Sequence, residues 1–109
     1  MAKILKYVLG LDGANRFESF YSVGVPAKDF VPYSAVDNRD DHVTDEEFDV
    51  EVFRKRWHRD PSPAEKGCML SHYNMWKDFL ASDADWALLA EDDVLISPDL
   101  QPVVERIIE

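Results

Sequence analysis

The sequence predicts one α/β domain in which a mainly parallel sheet is covered by helices. Strand-like and helix-like segments alternate along the 109 residues, which is the order typical of parallel sheets with helical crossovers. The strand candidates are short apolar runs bounded by turn residues, as buried strands usually are. Three carboxylates, at positions 91–93, directly follow one such run. They are expected at the edge of the sheet where open α/β folds bind ligands.

The N-terminal half is predicted to contain two strands and two helices. Residues 4–9 are apolar apart from one lysine and read as a central strand. Residues 15–21 are expected to form a short helix, and residues 30–36 a second strand that ends in a polar loop. Thr44 and Glu47 form a capping-box pattern, which predicts that the second helix opens there.

A long third helix is predicted from a stronger start signal. Ser62 is placed to cap the helix, Pro63 suits its first position, and Glu65 can reach back to the cap amide. The helix should run to about Ala81, where a Ser-Asp pair follows. Its expected core stripe consists of Met69, Tyr73, Trp76 and Leu80.

The third strand, residues 86–90, and a last helix, residues 100–108, complete the predicted order. In a parallel sheet the third strand should lie beside the first. The loop of residues 11–16 would then approach the three carboxylates at the end of the third strand.

These carboxylates form a candidate metal site. Glu91 and Asp93 alternate onto one side of an extended backbone, and Asp92 lies on the other side. Two carboxylates on one side suit Mg²⁺ or Mn²⁺ carrying a phosphate. The alternative is a solvated strand end, or a set of caps for the next helix.

Composition narrows the class of partner. Twelve basic and twenty-two acidic side chains give a formal charge of −10, which should repel nucleic acid and anionic membranes. No apolar stretch has the length of a membrane span, and the N-terminus lacks the pattern of a signal peptide. The single cysteine excludes an internal disulfide and fits a reducing compartment. A cytoplasmic location is therefore the default expectation.

Cys68 and His72 lie four residues apart on the third predicted helix, a spacing that could place two metal ligands on one face. No nearby cysteine or histidine pair completes a tetrahedral set. A packed cysteine and a hydrogen-bonded histidine are therefore the favoured interpretation. Ser71 is not expected to act with His72 as a nucleophile pair, because adjacent helical residues point in different directions.

Two segments together resemble glycosyltransferase family 25, the sugar transferases associated with lipopolysaccharide biosynthesis, which have relatives acting on collagen. Residues 62–76 contain Gly-Cys-x-x-Ser-His, and residues 87–94 contain Glu-Asp-Asp-Val. Residues 7–12 with Arg16, and residues 33–37, are also similar to the family's first strand and its Ala-Val-Asp turn.

The resemblance implies a GT-A-like fold, so that residues 1–109 would form a single nucleotide-sugar-binding domain. It further implies a UDP-sugar donor, commonly UDP-galactose, and a divalent cation, Mn²⁺ or Mg²⁺. Asp93 would be the direct metal ligand, and Glu91 would assist it or contact the ribose. Asp92 is a candidate for the base that activates an acceptor hydroxyl.

Five further residues are assigned to the donor site by the same resemblance. Arg16 and Asp37 would line the uridine or diphosphate pocket, and Ser71 and His72 would support the acidic strand from the neighbouring helix. Asp12 follows the first strand in the matching loop. The alternatives are a surface cation for Arg16, a turn former for Asp37 and a structural hydrogen-bonder for His72.

The leading hypothesis is therefore a transferase, or its donor half, that moves a hexose to a glycan or lipopolysaccharide acceptor. The alternative is a noncatalytic module that keeps the fold but lacks the acceptor half. Family members are longer, so the chain is expected to be truncated relative to them, and a homo-oligomer or a second subunit could complete it. A receiver-like signalling domain fits poorly, because receivers carry their acidic pair after the first strand.

Overall fold

Three parallel strands form the sheet of the protein. The computed structural model describes residues 2–13 and 16–109. The central strand, β1 (Ile4–Gly10), pairs with β2 (Val31–Ser34) on one side and with β3 (Trp86–Glu91) on the other. This confirms the α/β class and the predicted adjacency of the first and third strands. All three carboxyl ends consequently meet at one edge of the sheet.

Helices cover this sheet in the predicted order. They are α1 (Arg16–Tyr21), α2 (Val50–Trp57), α3 (Pro63–Ala81) and α4 (Leu100–Ile107), with a 3₁₀ turn at Val25–Asp29. The predicted start of α1 at Asn15 lies outside the described residues. In the described part of the chain, no helix combines the length and apolar character that crossing a bilayer requires.

The main core lies on one face of the sheet. Val8 of β1 is fully buried there, against Phe20 of α1 and Ile96 of the loop before α4. Leu88 and Ala90 of β3 pack against the same cluster. Even-numbered residues of β1 and β3 thus face α1 and α4, as the alternation of strand side chains requires.

Helix α3 begins as predicted. The Ser62 hydroxyl accepts a hydrogen bond from the Glu65 amide (3.1 Å), and the Glu65 carboxylate accepts one from the Ser62 amide (3.0 Å). Arg59 donates two hydrogen bonds to the same carboxylate, and this pairing lowers the pKa of Glu65 to about 2. The Glu65 carboxylate therefore takes part both in the capping box and in an exposed ion pair with Arg59.

The predicted core stripe of α3 is wrong. All four of its residues are about half exposed or more, and Leu80 is 79% exposed. The side of α3 that is buried carries smaller or slimmer residues, Gly67, Ser71 and Met75. Close approach of the helix to the chain after β2 requires small side chains there, so the large apolar residues are on the outer face. These outer residues are Met69, Tyr73, Trp76 and Leu80.

The predicted start of α2 is also wrong. The Glu47 carboxylate does bond back to the Thr44 amide at 3.2 Å, but the pattern closes one isolated turn. The helix begins at Val50, because Asp49 has an extended backbone that separates the turn from the helix. The Asp49 side chain accepts a hydrogen bond from the Val52 amide and so caps the helix. The Thr44 hydroxyl donates to the Glu47 carboxylate instead of accepting from the Glu47 amide, so only half of the Thr44 capping box forms.

Candidate active site

A cleft of about 360 Å³ opens at the carboxyl edge of the sheet. Its volume is within the range typical of small-molecule sites, roughly 300–1,000 Å³. Six of the predicted site residues line it, and two, Asp12 and His72, do not. The lining residues from the prediction are Arg16, Asp37, Ser71, Glu91, Asp92 and Asp93.

The loops after β2 and β3, which carry the acidic residues of the cleft, are both hydrogen-bonded to the end of β1. The amide of Ala35, which follows β2, donates to the Gly10 carbonyl at 2.8 Å. The amide of Asp92, which follows β3, donates to the Leu9 carbonyl at 3.0 Å. The two loops are therefore fixed to neighbouring carbonyls of one strand, and their side chains converge.

Asp92 lies on the crowded side of this edge, with its side chain only 11% exposed. A Cβ atom added to Gly10 would lie 2.7 Å from Asp92 Oδ2 and 2.9 Å from the Phe17 ring. The carboxylate thus fills space that only a glycine leaves open. Its Oδ1 is 3.8 Å from the Arg16 guanidinium, so Arg16 is held at the cleft.

Glu91 points to the opposite side, toward α3. Its Oε1 lies 3.9 Å from His72 Nε2. His72 Nδ1 is 2.9 Å from the Cys68 carbonyl oxygen and 3.8 Å from Cys68 Sγ. Burial, together with the charge of Glu91, raises the pKa of the Cys68 thiol. His72 therefore makes its hydrogen bond within α3 and faces Glu91 at the end of the acidic strand.

Ser71 supports a different segment from the expected one. Its fully buried hydroxyl donates to the Gly67 carbonyl at 2.7 Å and accepts from the Val36 amide at 2.8 Å. It therefore holds the loop after β2, rather than the acidic strand. Its helix comes this close because Gly67 has no Cβ, which would lie 2.9 Å from the Val36 carbonyl.

Asp37 and Asp12 are both fixed by neighbours. Arg39 Nε donates to the Asp37 carboxylate at 2.9 Å, and this pairing lowers the pKa of Asp37. The Ser34 hydroxyl donates to Asp12 Oδ1 at 2.8 Å. Asp12 therefore lies beside the end of β2, where it braces the loop after β1.

Sequence reasoning missed two residues of this loop, Asn38 and Arg39, which both line the cleft. The side chain of Asn38 is buried, donates to the Pro63 carbonyl (2.8 Å) and accepts from the Val43 amide (2.9 Å). It ties the loop to the start of α3. Its signal in the sequence was weak, because Asn is common in any polar loop.

The charges of the cleft do not balance. Its lining includes two arginines and four carboxylates, which gives a formal charge of −2. Arg39 is paired with Asp37, and Arg16 with Asp92. Asp93 has no ion-pair partner among residues 2–13 and 16–109. Among these residues, the carboxylates of the cleft therefore outnumber the cations by two.

The three consecutive carboxylates do not converge on one point. Within the described ranges, the one set of three side chains able to share an ion is Cys68, His72 and Glu91. Glu91 and Asp92 face opposite sides, which separates them. A cation at the acidic motif would therefore rely on Glu91 and Asp93 with oxygen atoms of a ligand or water.

Comparison with known families identifies the family of the chain. The family model described as glycosyltransferase family 25 (LPS biosynthesis protein) matches residues 7–109, which is nearly the whole chain. The comparisons with curated proteins and with solved structures returned no match. The matched range covers every residue that lines the cleft. The chain therefore belongs to glycosyltransferase family 25, whose members are proteins of lipopolysaccharide biosynthesis.

Proposed function

We propose that the cleft binds a UDP-sugar, UDP-galactose in the first instance, through a divalent cation. The hexose would then pass to a glycan or lipopolysaccharide acceptor in the cytoplasm. The observation that carries the proposal is the charge of the cleft, which is −2 although its ligand would be an anionic diphosphate. Such a ligand requires a bridging cation, because the two arginines are already paired.

The residues present fit Mn²⁺ or Mg²⁺. Glu91 and Asp93 offer carboxylate oxygens, the atoms that these hard cations prefer. Such a cation supplies charge neutralisation of the diphosphate leaving group. In this proposal a GT-A-like arrangement accounts for the position of the acidic motif directly after a strand.

The neighbouring side chains have distinct roles in the proposal. Arg16, held by Asp92, faces the phosphates, and Asp37 orients the uridine side of the cleft together with Arg39. Asp92 is the predicted general base, and its side chain is 11% exposed. Ser71 acts through Val36, as a positioning residue.

Isothermal titration calorimetry of UDP and UDP-galactose tests the donor site. We expect binding with Mn²⁺ and none after chelation, and we expect Asp93→Asn to abolish it. Asp99→Asn is the matched control, because Asp99 is exposed, lies outside the cleft and makes no side-chain cap. Absence of binding to the wild type in the presence of Mn²⁺ would overturn the proposal.

A turnover assay separates the transferase from the noncatalytic alternative. UDP release from UDP-galactose is measured with a mixture of lipopolysaccharide glycans as acceptors. Release that depends on acceptor and is lost in Asp93→Asn supports transfer. Metal-dependent binding of UDP-galactose without any release would instead support a binding module.

A further inference from the structure

We infer that Cys68, His72 and Glu91 form a three-ligand site for Zn²⁺ on the α3 side of the cleft, which Cys68 and Glu91 also line. The inference does not rest on the proposed donor function, because Cys68 and His72 are not ligands of the cation proposed there. Only Glu91 is a ligand in both proposals. The sequence alone gave no third ligand for Cys68 and His72, and the fold places Glu91 beside them.

The fold brings the three residues together from two elements. Cys68 and His72 are one turn apart on α3 and project from the same side of the helix. Glu91 is the last residue of β3, and its side chain faces α3. One ligand atom from each residue lies within 4.8 Å of the others.

These separations are close to those of a metal site. Zinc bonds of about 2.0–2.3 Å in a tetrahedral arrangement place neighbouring ligand atoms roughly 3.3–3.7 Å apart. The separation from His72 Nε2 to Glu91 Oε1 is 3.9 Å, and Cys68 Sγ lies against the same ring, 3.8 Å from Nδ1. The Glu91 side chain is 52% exposed, so it can rotate to close the remaining distance.

The hydrogen bond between the His72 ring and the Cys68 carbonyl determines which ring nitrogen can bind a metal. The Cys68 carbonyl oxygen can only accept, so His72 Nδ1, 2.9 Å away, carries the hydrogen. In a neutral ring the lone pair is then on Nε2, which faces the Glu91 carboxylate. Two acceptors that face each other attract a cation between them. An imidazole N–H bonded to a backbone carbonyl is also the usual second contact of a metal-binding histidine.

The ligand types select the metal. A sulfur, a nitrogen and one carboxylate suit Zn²⁺, whereas Mg²⁺ and Mn²⁺ prefer oxygen ligands. Three protein ligands leave a fourth position, which water would occupy. On binding, the Cys68 S–H bond breaks, an S–Zn bond forms, and one proton is released to solvent.

Cobalt substitution tests the site directly. The chain has one cysteine, so a thiolate-to-cobalt charge-transfer band can only arise from Cys68. We expect Co²⁺ to produce this band together with the visible bands of a tetrahedral site. A stoichiometric amount of Zn²⁺ should remove both. Absence of the charge-transfer band at excess Co²⁺ would overturn the inference.

Variants identify the other two ligands. We expect Cys68→Ser to abolish the band, and His72→Gln and Glu91→Gln to weaken Co²⁺ binding by more than the roughly 10–100-fold that loss of a group supporting a ligand costs. His58→Asn is the control, because His58 is exposed, lies outside the site and has the left-handed backbone that Asn tolerates. A band that persists at full affinity in both His72→Gln and Glu91→Gln would contradict the site. Circular dichroism confirms that each variant is folded.

One more variant separates this inference from the proposed function. Asp93→Asn should lose metal-dependent binding of UDP but keep the cobalt band. If the wild type does not bind the nucleotide, the donor proposal fails and the zinc inference is unaffected. If the wild type shows no cobalt band, the zinc inference fails and the donor proposal is unaffected.

Discussion

The two sides of the acidic strand end differ in how tightly they are packed. On the packed side, formed by Gly10, Phe17 and Asp92, a single added carbon atom would lie 2.7 Å from a carboxylate oxygen. On the open side, formed by Cys68, His72 and Glu91, the Glu91 carboxylate is 3.9 Å from His72 Nε2 and its side chain is half exposed.

The difference teaches that neighbouring carboxylates have different tasks. Asp92 is almost enclosed and holds Arg16, so its surroundings are fixed before any ligand arrives. Glu91 is half exposed and faces His72 at 3.9 Å, so its surroundings are open. Alternation along one strand is enough to produce both environments.

The largest effect is expected from Gly10→Ala, which tests the packed side. The new Cβ would overlap Asp92 Oδ2 and the Phe17 ring, so we expect the free energy of unfolding to fall by about 1–3 kcal/mol. Urea denaturation measures this loss. Gly13→Asn is the control, since nothing lies within 4 Å of a Cβ there and Asn tolerates its positive φ. If Gly10→Ala has the same free energy of unfolding as the wild type, the side formed by Gly10, Phe17 and Asp92 is not tightly packed.

Ser71→Ala tests the contact that holds the loop after β2 against α3. Removing the hydroxyl leaves the Val36 amide without its partner, which costs about 1–3 kcal/mol when the group is buried. We expect a lower urea midpoint and weaker UDP binding. Ser22→Ala removes only an exposed contact with a carbonyl of α1, the helix that Ser22 follows, and should change little. Equal effects of the two variants would contradict the positioning role of Ser71.

An exposed ion pair at the start of α3 is expected to contribute less, and its effect depends on pH. The folded pKa of Glu65, about 2, is below its usual value of 4.5. Its contribution to stability is therefore complete above pH 4.5 and is lost as the pH falls toward 2. Glu65→Gln keeps a capping side chain but loses the charge.

Thermal unfolding of wild type and Glu65→Gln at several pH values measures this contribution. We expect the variant to melt at a slightly lower temperature at pH 7, and the difference to shrink between pH 4.5 and 2. A difference that does not change with pH would show that the pairing with Arg59 is not responsible.

The smallest effect on stability is expected from Glu91→Gln, which tests the open side. Glu91 is half exposed and its contact with His72 is long, so the free energy of unfolding should change by less than about 0.5 kcal/mol. Metal binding should nevertheless be weakened strongly. A loss of stability as large as that of Gly10→Ala would contradict the claim that the two sides differ in packing.

The order of elements and the divergence of Glu91 and Asp92 were predictable, because both follow from short-range periodicity. The outer face of α3 was not. Large apolar residues suggested a core stripe, but the helix approaches the loop after β2 through Gly67 and Ser71. A glycine inside a helix was the available signal for that close approach.

The grouping of Glu91 with Cys68 and His72 could not be predicted from spacing. The glutamate lies on another element, and the contact depends on how α3 packs against the sheet. The roles of Asn38 and Arg39 were hidden for the same reason. Their partners are set by the path of one loop, which local sequence patterns do not define.

The most direct test of the donor site is a nitrogen–proton NMR titration of the protein with UDP-galactose and Mg²⁺. Our account predicts chemical-shift changes concentrated at the amides of Gly10, Val36, Asp92 and Asp93, which surround the cleft, and their reversal by chelator. Changes confined to α2 and the outer face of α3, or no changes at saturating ligand, would contradict it.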